Sequence, residues 1–137
     1  ALLEIGGATL LFMKPRSMEG EFGGLVKAGT VDSFPPGSVV EYPDGRFFLV
    51  RSTEGGFLAV YRRCTHLGCS VNWEADQNRF YCPCHASTFD LHGDVENPPA
   101  PRALDAFPVK IDEGQVLVDT SHLQSRDSFT PDQLAFA

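Results

Sequence analysis

The feature that most constrains this chain is a pair of short segments rich in cysteine and histidine. Box one reads C-T-H-L-G-C at Cys64–Cys69, and box two, twelve residues later, reads C-P-C-H at Cys82–His85. Together they contain all four cysteines of the chain and two of its four histidines. A fold that brings the boxes together gathers soft thiolate and imidazole ligands at one place, which is a ligand set for a transition metal.

Each box offers one cysteine and one histidine at close spacing, as C-x-H and as C-x-x-H. If Cys64 and Cys82 bind one iron and His66 and His85 bind the other, the boxes hold a [2Fe–2S] cluster with mixed ligands. Neutral imidazole leaves less negative charge on the metal than thiolate does, so such a cluster accepts an electron more readily. Its expected potential is about −150 to +300 mV, against roughly −400 mV for an all-cysteine plant-type cluster.

The remaining two cysteines, Cys69 and Cys84, have no metal in this arrangement. Each lies close to a ligand, so boxes that meet also bring these two together, and a disulfide is the simplest use for them. A zinc site is an alternative, but structural zinc sites usually use C-x2–4-C pairs, which fit this spacing poorly. Two plain disulfides would leave the histidines unexplained. His92 and His122 lie outside both boxes, and we expect both to be exposed to solvent.

The double box resembles the Rieske family, in the branch that includes the iron–sulfur subunit of cytochrome bc-type quinol oxidoreductases. The resemblance covers roughly residues 37–120 and implies one [2Fe–2S] cluster, four ligands and one disulfide. The implied ligands are Cys64, His66, Cys82 and His85, and the implied disulfide joins Cys69 to Cys84. Ala86 stands where the family more commonly has glycine.

The resemblance also assigns roles around the boxes. Leu67 would cover the cluster and border the quinol site, Ser87 would donate its hydroxyl to a cluster sulfide, and Pro99 lies in a loop, Asn97–Arg102, that would pack over the cluster's third side. In the family a tyrosine two residues after the serine bonds a cysteine sulfur. Here that residue is Phe89, so we predict a potential below that of members with both hydroxyls, which favours a donor such as menaquinol.

In the quinol-oxidising family the box-two histidine contacts the quinol. We therefore expect His85 to accept a proton from the quinol, with His66 as the second catalytic imidazole. The implied partners are a quinol-binding cytochrome b-type subunit and a c-type cytochrome that accepts the electron. Two alternatives are the small Rieske subunit of an arsenite oxidase-type molybdoenzyme and a Rieske ferredoxin, although ferredoxins usually lack the additional cysteine pair.

The rest of the chain carries strand and turn signals. Apolar residues alternate with a period near 2, turns such as P-D-G and E-G-G separate them, and no apolar stripe of three helical turns occurs. We predict an all-β chain, a Rieske-type antiparallel β-sandwich with a small cluster-binding subdomain of two loops at its tip. Trp73, between the boxes, is expected to pack beneath the cluster.

The chain divides into four predicted regions. Residues 1–13 are mostly apolar but too short to cross a bilayer, which needs about 20 residues, and we expect a remnant of a membrane anchor or a segment that docks on a partner. Residues 14–24 form a linker by composition. Residues 25–120 form the Rieske domain, with its cluster-binding part at about 62–102. The tail, residues 121–137, either ends in a short helix or lies extended on a partner.

Net charge and cysteine chemistry limit the partners and the compartment expected for the protein. A net charge of −7 argues against nucleic acid as a partner and permits docking to a basic protein. A disulfide favours an oxidising compartment. We therefore expect the protein at the extracytoplasmic face of the cytoplasmic membrane.

Overall fold

A computed structural model describes residues 22–137, so the segment 1–13 and most of the predicted linker lie outside the described residues. Within residues 22–137 the chain forms strands and two short 3-10 helices, Val31–Ser33 and Pro131–Gln133, and this confirms the all-β prediction. None of the helices in this part is long and apolar enough to span a membrane. The strands are β1 (Leu25–Thr30), β2 (Val39–Tyr42), β3 (Phe47–Arg51), β4 (Phe57–Tyr61), β5 (Asn72–Glu74), β6 (Arg79–Tyr81), β7 (Thr88–Phe89), β8 (Val95–Asn97), β9 (Ala106–Phe107), β10 (Val109–Asp112) and β11 (Gln115–Asp119).

The described strands form three antiparallel sheets. The first has the order β1-β11-β10, so the first and last strands pair, and the second has the order β2-β3-β4-β9. These two sheets are called the base here. The third, called the small sheet, has the order β5-β6-β7-β8. The chain leaves the base after β4 and forms box one, strands β5 and β6, box two, and strands β7 and β8. It then returns as β9, which pairs with β4.

In the sheet β2-β3-β4-β9, the central strands β3 and β4 are buried on both faces, whereas β2 is partly exposed. The run F-F-L-V of β3 is buried at all four positions. Phe47 packs in a core with Val118 of β11, and the next residue, Phe48, packs in a second core with Phe80 of β6. Successive side chains of a strand point to opposite faces. This sheet is therefore the middle layer between the first sheet and the small sheet, which explains why β3 has no polar face.

The second core contains the two cysteines that open the boxes, Cys64 and Cys82. On the small sheet, Trp73 of β5 pairs with Phe80 of β6, and Phe80 pairs with Phe89 of β7. The Trp73 and Phe80 rings lie 4.8 Å apart, and Trp73 packs against the second core, as expected. Aromatic pairs of this kind contribute about 0.5–1.5 kcal/mol beyond the area they bury. The first cysteine of each box is thus packed in an apolar core.

The tail folds back onto the domain and contains a short helix, as one of the two alternatives expected. A 3-10 helix follows Thr130, at Pro131–Gln133. Before it, Gln124 forms a β-bridge with Ala106, and after it Ala135 forms one with Phe57.

Candidate metal centre

Box one and box two have the same backbone geometry although their residue order differs. Each begins with a cysteine. The N–H of that cysteine donates to the carbonyl oxygen of the residue five positions later, and its carbonyl oxygen accepts the N–H of the residue four positions later. These bonds involve Cys64, Gly68 and Cys69 in box one and Cys82, Ala86 and Ser87 after the start of box two. The fourth following residue is left-handed in both loops, with φ of 78° at Gly68 and 62° at Ala86. Cys64 and Cys82 therefore occupy equivalent positions in equivalent loops.

The two opening cysteines are buried and adjacent. Cys64 is 3% exposed and Cys82 is 2% exposed, and neither is in a disulfide. Burial raises the pKa of the Cys64 thiol, and its hydrogen bond with Cys82 adds to this, while the His66 N–H and the Ser87 hydroxyl lower the pKa by bonding the sulfur. A bound metal ion replaces thiol protons, and the same two donors then stabilise the thiolate.

The two box histidines lie against each other. The ring centroids of His66 and His85 are 4.9 Å apart, edge to face at 86°. Among the described residues, Nδ1 of His66 is buried and has no hydrogen-bond partner, which is costly unless a metal binds it. The His85 side chain is exposed. The set of two adjacent thiols and two adjacent imidazoles fits a cluster with two cysteine and two histidine ligands.

A disulfide joins the boxes. Cys69 and Cys84 are bonded, with their Cα atoms 6.5 Å apart, which confirms the predicted pairing. The sulfur of Cys82 lies within 4.8 Å of both disulfide sulfurs. Although these three sulfurs are close enough to surround a metal ion, two of them are bonded to each other and cannot act as thiolates. The disulfide is therefore a cross-link placed directly beside a buried thiol.

Ser87 and Phe89 lie beneath the thiols, and both are fully buried. The Ser87 hydroxyl accepts the N–H of Ala100 at 3.1 Å, and it lies near the Cys64 sulfur, where it lowers the pKa of that thiol. Phe89 packs in the same core as Cys64 and Cys82. Leu67, in contrast, is 69% exposed at the tip of box one.

The proline loop, Asn97–Arg102, is bonded to both boxes. The Asn97 side-chain amide donates to the Ala86 carbonyl oxygen at 3.2 Å. At the other end the Thr65 hydroxyl donates to the Arg102 carbonyl oxygen at 2.6 Å. Pro99 lies exposed between these two attachments. Sequence reasoning did not single out Thr65, although its position between two predicted ligands placed it where a loop contact matters.

The expectation that both histidines outside the boxes are exposed is wrong for one of them. The His92 ring stacks on Phe129 of the tail, with centroids 4.0 Å apart and planes at 8°. Its Nε2 is buried. The local D-L-H-G-D sequence gave no sign of this, because the covering residue comes from a distant part of the chain. His122 is exposed, as expected.

Comparison with known proteins decides the family. Residues 24–108, more than half of the chain, match the family described as Rieske [2Fe–2S] domain. The chain belongs to the Rieske [2Fe–2S] family. The matched region contains both boxes, the small sheet and the proline loop, and its cofactor is one Rieske [2Fe–2S] cluster.

Two Rieske relatives with curated names are subunits of the same kind of complex. The cytochrome b6-f complex iron–sulfur subunit of Chlorobaculum thiosulfatiphilum is 32% identical over 101 residues, which cover 67% of this chain and 56% of the relative. The subunit of the same name from Prochlorococcus marinus strain MIT 9215 is 49% identical over 76 residues, which cover 55% and 43%. The chain thus spans about half the length of the curated relatives it matches.

A solved Rieske structure has the same fold over most of its length. The plasma membrane Rieske protein of the cyanobacterium Synechocystis PCC 6803 aligns with a TM-score of 0.54 and 32% identity. The alignment covers 68% of this chain and 97% of that protein.

Proposed function

We propose that this chain is the electron-transfer part of a Rieske subunit in a cytochrome b6-f or bc-type complex. In this proposal it takes electrons from a quinol and passes them to a cytochrome. The observation that carries the proposal is the arrangement of buried thiols behind a surface imidazole: Cys64 and Cys82 are buried, whereas His85 is exposed and Leu67 is 69% exposed. The names of the cytochrome b6-f relatives support this type of complex over the arsenite oxidase and ferredoxin alternatives.

We assign Cys64 and Cys82 to one iron and His66 and His85 to the other. The assignment is supported by the two buried, free thiols, the 4.9 Å separation of the two rings and the buried, unpartnered Nδ1 of His66. When bound, the cluster supplies a one-electron acceptor. Proton acceptance and the exclusion of water are assigned to side chains of the protein.

The exposed ring of His85 is the proposed proton acceptor. Its free ring nitrogen accepts a hydrogen bond from a quinol hydroxyl and then takes the proton. Leu67 offers an apolar surface that suits the ring of a quinol and excludes water from it. Because Phe89 lacks the second hydroxyl, we propose a low-potential donor, of the menaquinol kind. A histidine that takes up a proton with the electron makes the potential fall as pH rises.

The proposed partners are a quinol-binding cytochrome b-type subunit and a c-type cytochrome. The Cys69–Cys84 disulfide supports a location on the extracytoplasmic side of the membrane, because disulfides persist in oxidising compartments. Residues 1–13 are the proposed attachment to the membrane or to a partner.

The test is a potentiometric titration of the purified protein between about pH 6 and pH 10, followed by EPR of the reduced protein. We expect a potential near zero or above it at pH 7, within the range of about −150 to +300 mV for mixed-ligand clusters, and a fall at alkaline pH. A potential several hundred millivolts below zero and independent of pH would rule out histidine ligation.

Matched variants sharpen this test. His85→Ala should abolish the Rieske EPR signal, whereas His122→Ala, an exposed histidine outside the boxes, should leave the signal and its pH dependence unchanged. Purification of the native complex separates the alternatives. Co-purifying b-type haem supports the quinol complex, and molybdenum in its place would indicate the arsenite oxidase type.

A further inference from the structure

The tail, residues 121–137, lies beyond the matched family region, 24–108, yet it is bonded to the base. Gln124 and Ala106 of β9 exchange two backbone hydrogen bonds, at 2.8 and 3.0 Å. Ala135 and Phe57 of β4 exchange two more, at 2.7 and 2.9 Å. The segment between these attachments is therefore held at both ends.

Between the two attachments, Arg126 is only 7% exposed and donates from all three guanidinium nitrogens. Nε donates to the Leu104 carbonyl oxygen at 2.8 Å, and Nη2 donates to the His92 carbonyl oxygen at 3.0 Å. Nη1 donates to Oε1 of Gln133, in the tail itself, at 2.8 Å. A planar guanidinium can hold three such acceptors in fixed directions, and lysine cannot.

Within residues 22–137 no carboxylate forms a direct ion pair with Arg126, so its charge is compensated by carboxylates at longer range. Burial lowers the pKa of the guanidinium, and nearby carboxylates raise it. The carboxylates are those of Asp94, Asp105 and Asp90. An arginine stays protonated in this setting, so the tail places a buried cation against the turn that contains two of these acids.

That turn, Asp90–Asp94, is shaped to receive the tail. At Gly93, φ is 81°, and a Cβ atom would lie 2.7 Å from Nη2 of Arg126. Phe129 donates its N–H to Oδ1 of Asp94 at 2.5 Å and stacks its ring on His92. Only glycine allows the guanidinium to approach this closely.

The turn connects β7 to β8 of the small sheet, and β7 starts directly after Ser87. The Ser87 carbonyl oxygen accepts the Cys82 N–H at 2.9 Å, and its hydroxyl accepts the Ala100 N–H at 3.1 Å and lies near the Cys64 sulfur. A shift of the turn therefore moves β7, and with it the hydroxyl that faces the ligand sulfur.

We propose that Arg126 is a positioning residue for the cluster: it fixes the Asp90–Asp94 turn from the tail, and so holds the Ser87 hydroxyl on the Cys64 sulfur. This inference rests on the proposed role of Cys64 as an iron ligand. A hydrogen bond to a ligand sulfur favours the reduced, more negative cluster. Loss of Arg126 therefore lowers the reduction potential as well as the stability.

The experiment uses cluster-loaded protein with Arg126→Met, Arg126→Lys or Gly93→Ala. Each is measured by redox titration, EPR and thermal unfolding. The matched control is Arg51→Met, because Arg51 donates to the carbonyl oxygens of Gly55, Val31 and Phe34, within the base. We expect the three test variants to reduce the equilibrium constant for cluster reduction by threefold to tenfold, and tenfold equals about 59 mV. Arg51→Met should lower only the unfolding temperature.

Three outcomes would contradict the proposal. Unchanged potentials in folded, loaded Arg126→Lys and Gly93→Ala would reduce Arg126 to a structural role. A shift in Arg126→Met without one in Arg126→Lys would assign the effect to charge instead of positioning. A wild-type protein without a Rieske EPR signal would instead overturn the ligand assignment, and this inference with it.

Discussion

At the residue scale, Ala86 shows how the boxes are strained. It adopts φ of 62°, as Gly68 adopts 78° at the equivalent place in box one. A side chain in the left-handed region costs about 1–2 kcal/mol, because Cβ approaches the following carbonyl oxygen. The sequence revealed that Ala86 replaces a glycine, but the conformation that makes the replacement costly depends on the loop.

We predict that Ala86→Gly raises the free energy of unfolding by about 0.5–1 kcal/mol. Relief of the strained φ stabilises the folded state. The greater freedom of glycine in the unfolded chain offsets about 0.4–1 kcal/mol of this gain. Ala86 is exposed, so little packing is lost. Denaturant unfolding of the loaded protein measures the change. Ala75→Gly is the control, since Ala75 is also exposed but is not among the residues with positive φ, and it should destabilise.

We predict that Phe89→Tyr raises the reduction potential. Phe89 is fully buried in the core that contains Cys64 and Cys82, so a new hydroxyl can donate to a ligand sulfur. If this bond favours the reduced state by tenfold, the potential rises by about 59 mV. Redox titration beside wild type measures the shift. An unchanged potential, with normal iron content, would mean that the tyrosine hydroxyl does not reach a sulfur atom.

At the element scale, the boxes are two equivalent loops locked by one disulfide. The types and spacing of their residues predicted the metal chemistry and the disulfide, because thiolate and imidazole ligands are informative on their own. Strands β7 and β8 were not predicted. They have two and three residues, too few for an alternating pattern, and they exist because β6 and the tail hold the segment in place.

We predict that Cys69→Ser leaves iron incorporation intact but makes the cluster fragile. The disulfide closes a sequence separation of 15 residues, and such a loop is stabilised by about 3 kcal/mol in the chain-entropy account. The loss of visible absorbance with time in mild denaturant measures cluster retention, and we expect a faster loss than in wild type. Wild-type protein treated with a thiol reductant should lose its absorbance as fast as Cys69→Ser does. If both retain the cluster as long as untreated protein does, the cross-link does not protect it.

At the scale of the whole molecule, the fold has three layers, and the candidate metal centre lies on the outer layer that contains the small sheet. Sequence periodicity predicted the strands β3 and β4, but it did not reveal that both of their faces are buried or that β1 pairs with β11. The tail was equally hidden, because it is attached by two isolated backbone bridges and by the side chains of one arginine and one phenylalanine in a polar segment. Long-range pairings of this kind leave no local pattern.

The described part begins with an aromatic attachment to the base. The Phe22 ring lies 6.2 Å from the rings of Tyr61 and Phe107, and the Arg46 guanidinium lies 4.4 Å from its centroid. Its N–H donates to the Asp44 carbonyl oxygen at 2.8 Å. The last residues of the predicted linker are thus bonded to the base.

We predict that Phe22→Ala lowers the free energy of unfolding by about 1–2 kcal/mol, of which about 0.5–1 kcal/mol is the cation–π contact with Arg46. Leu25→Ala is the control, because Leu25 is exposed to a similar degree, 46% against 38% for Phe22. It should cost much less, because leucine has no aromatic ring to pack on Tyr61 and Phe107 or to hold the Arg46 cation. Equal losses for the two variants would mean that the ring contacts of Phe22 contribute nothing to stability.

The pairing of the first and last strands also decides how the molecule carries mechanical tension. Gly23 and Gly24 donate to the Thr120 hydroxyl at 3.0 and 3.1 Å, just beyond the paired ends of β1 and β11. A force applied to the chain before Gly23 is therefore transmitted to the base through these bonds. The backbone hydrogen bonds between β1 and β11 resist it. Both connections of the small sheet, through β4 and β9, lie outside this line of force. The proposed iron ligands, which the small sheet and the boxes carry, thus lie outside the part of the fold that bears the load.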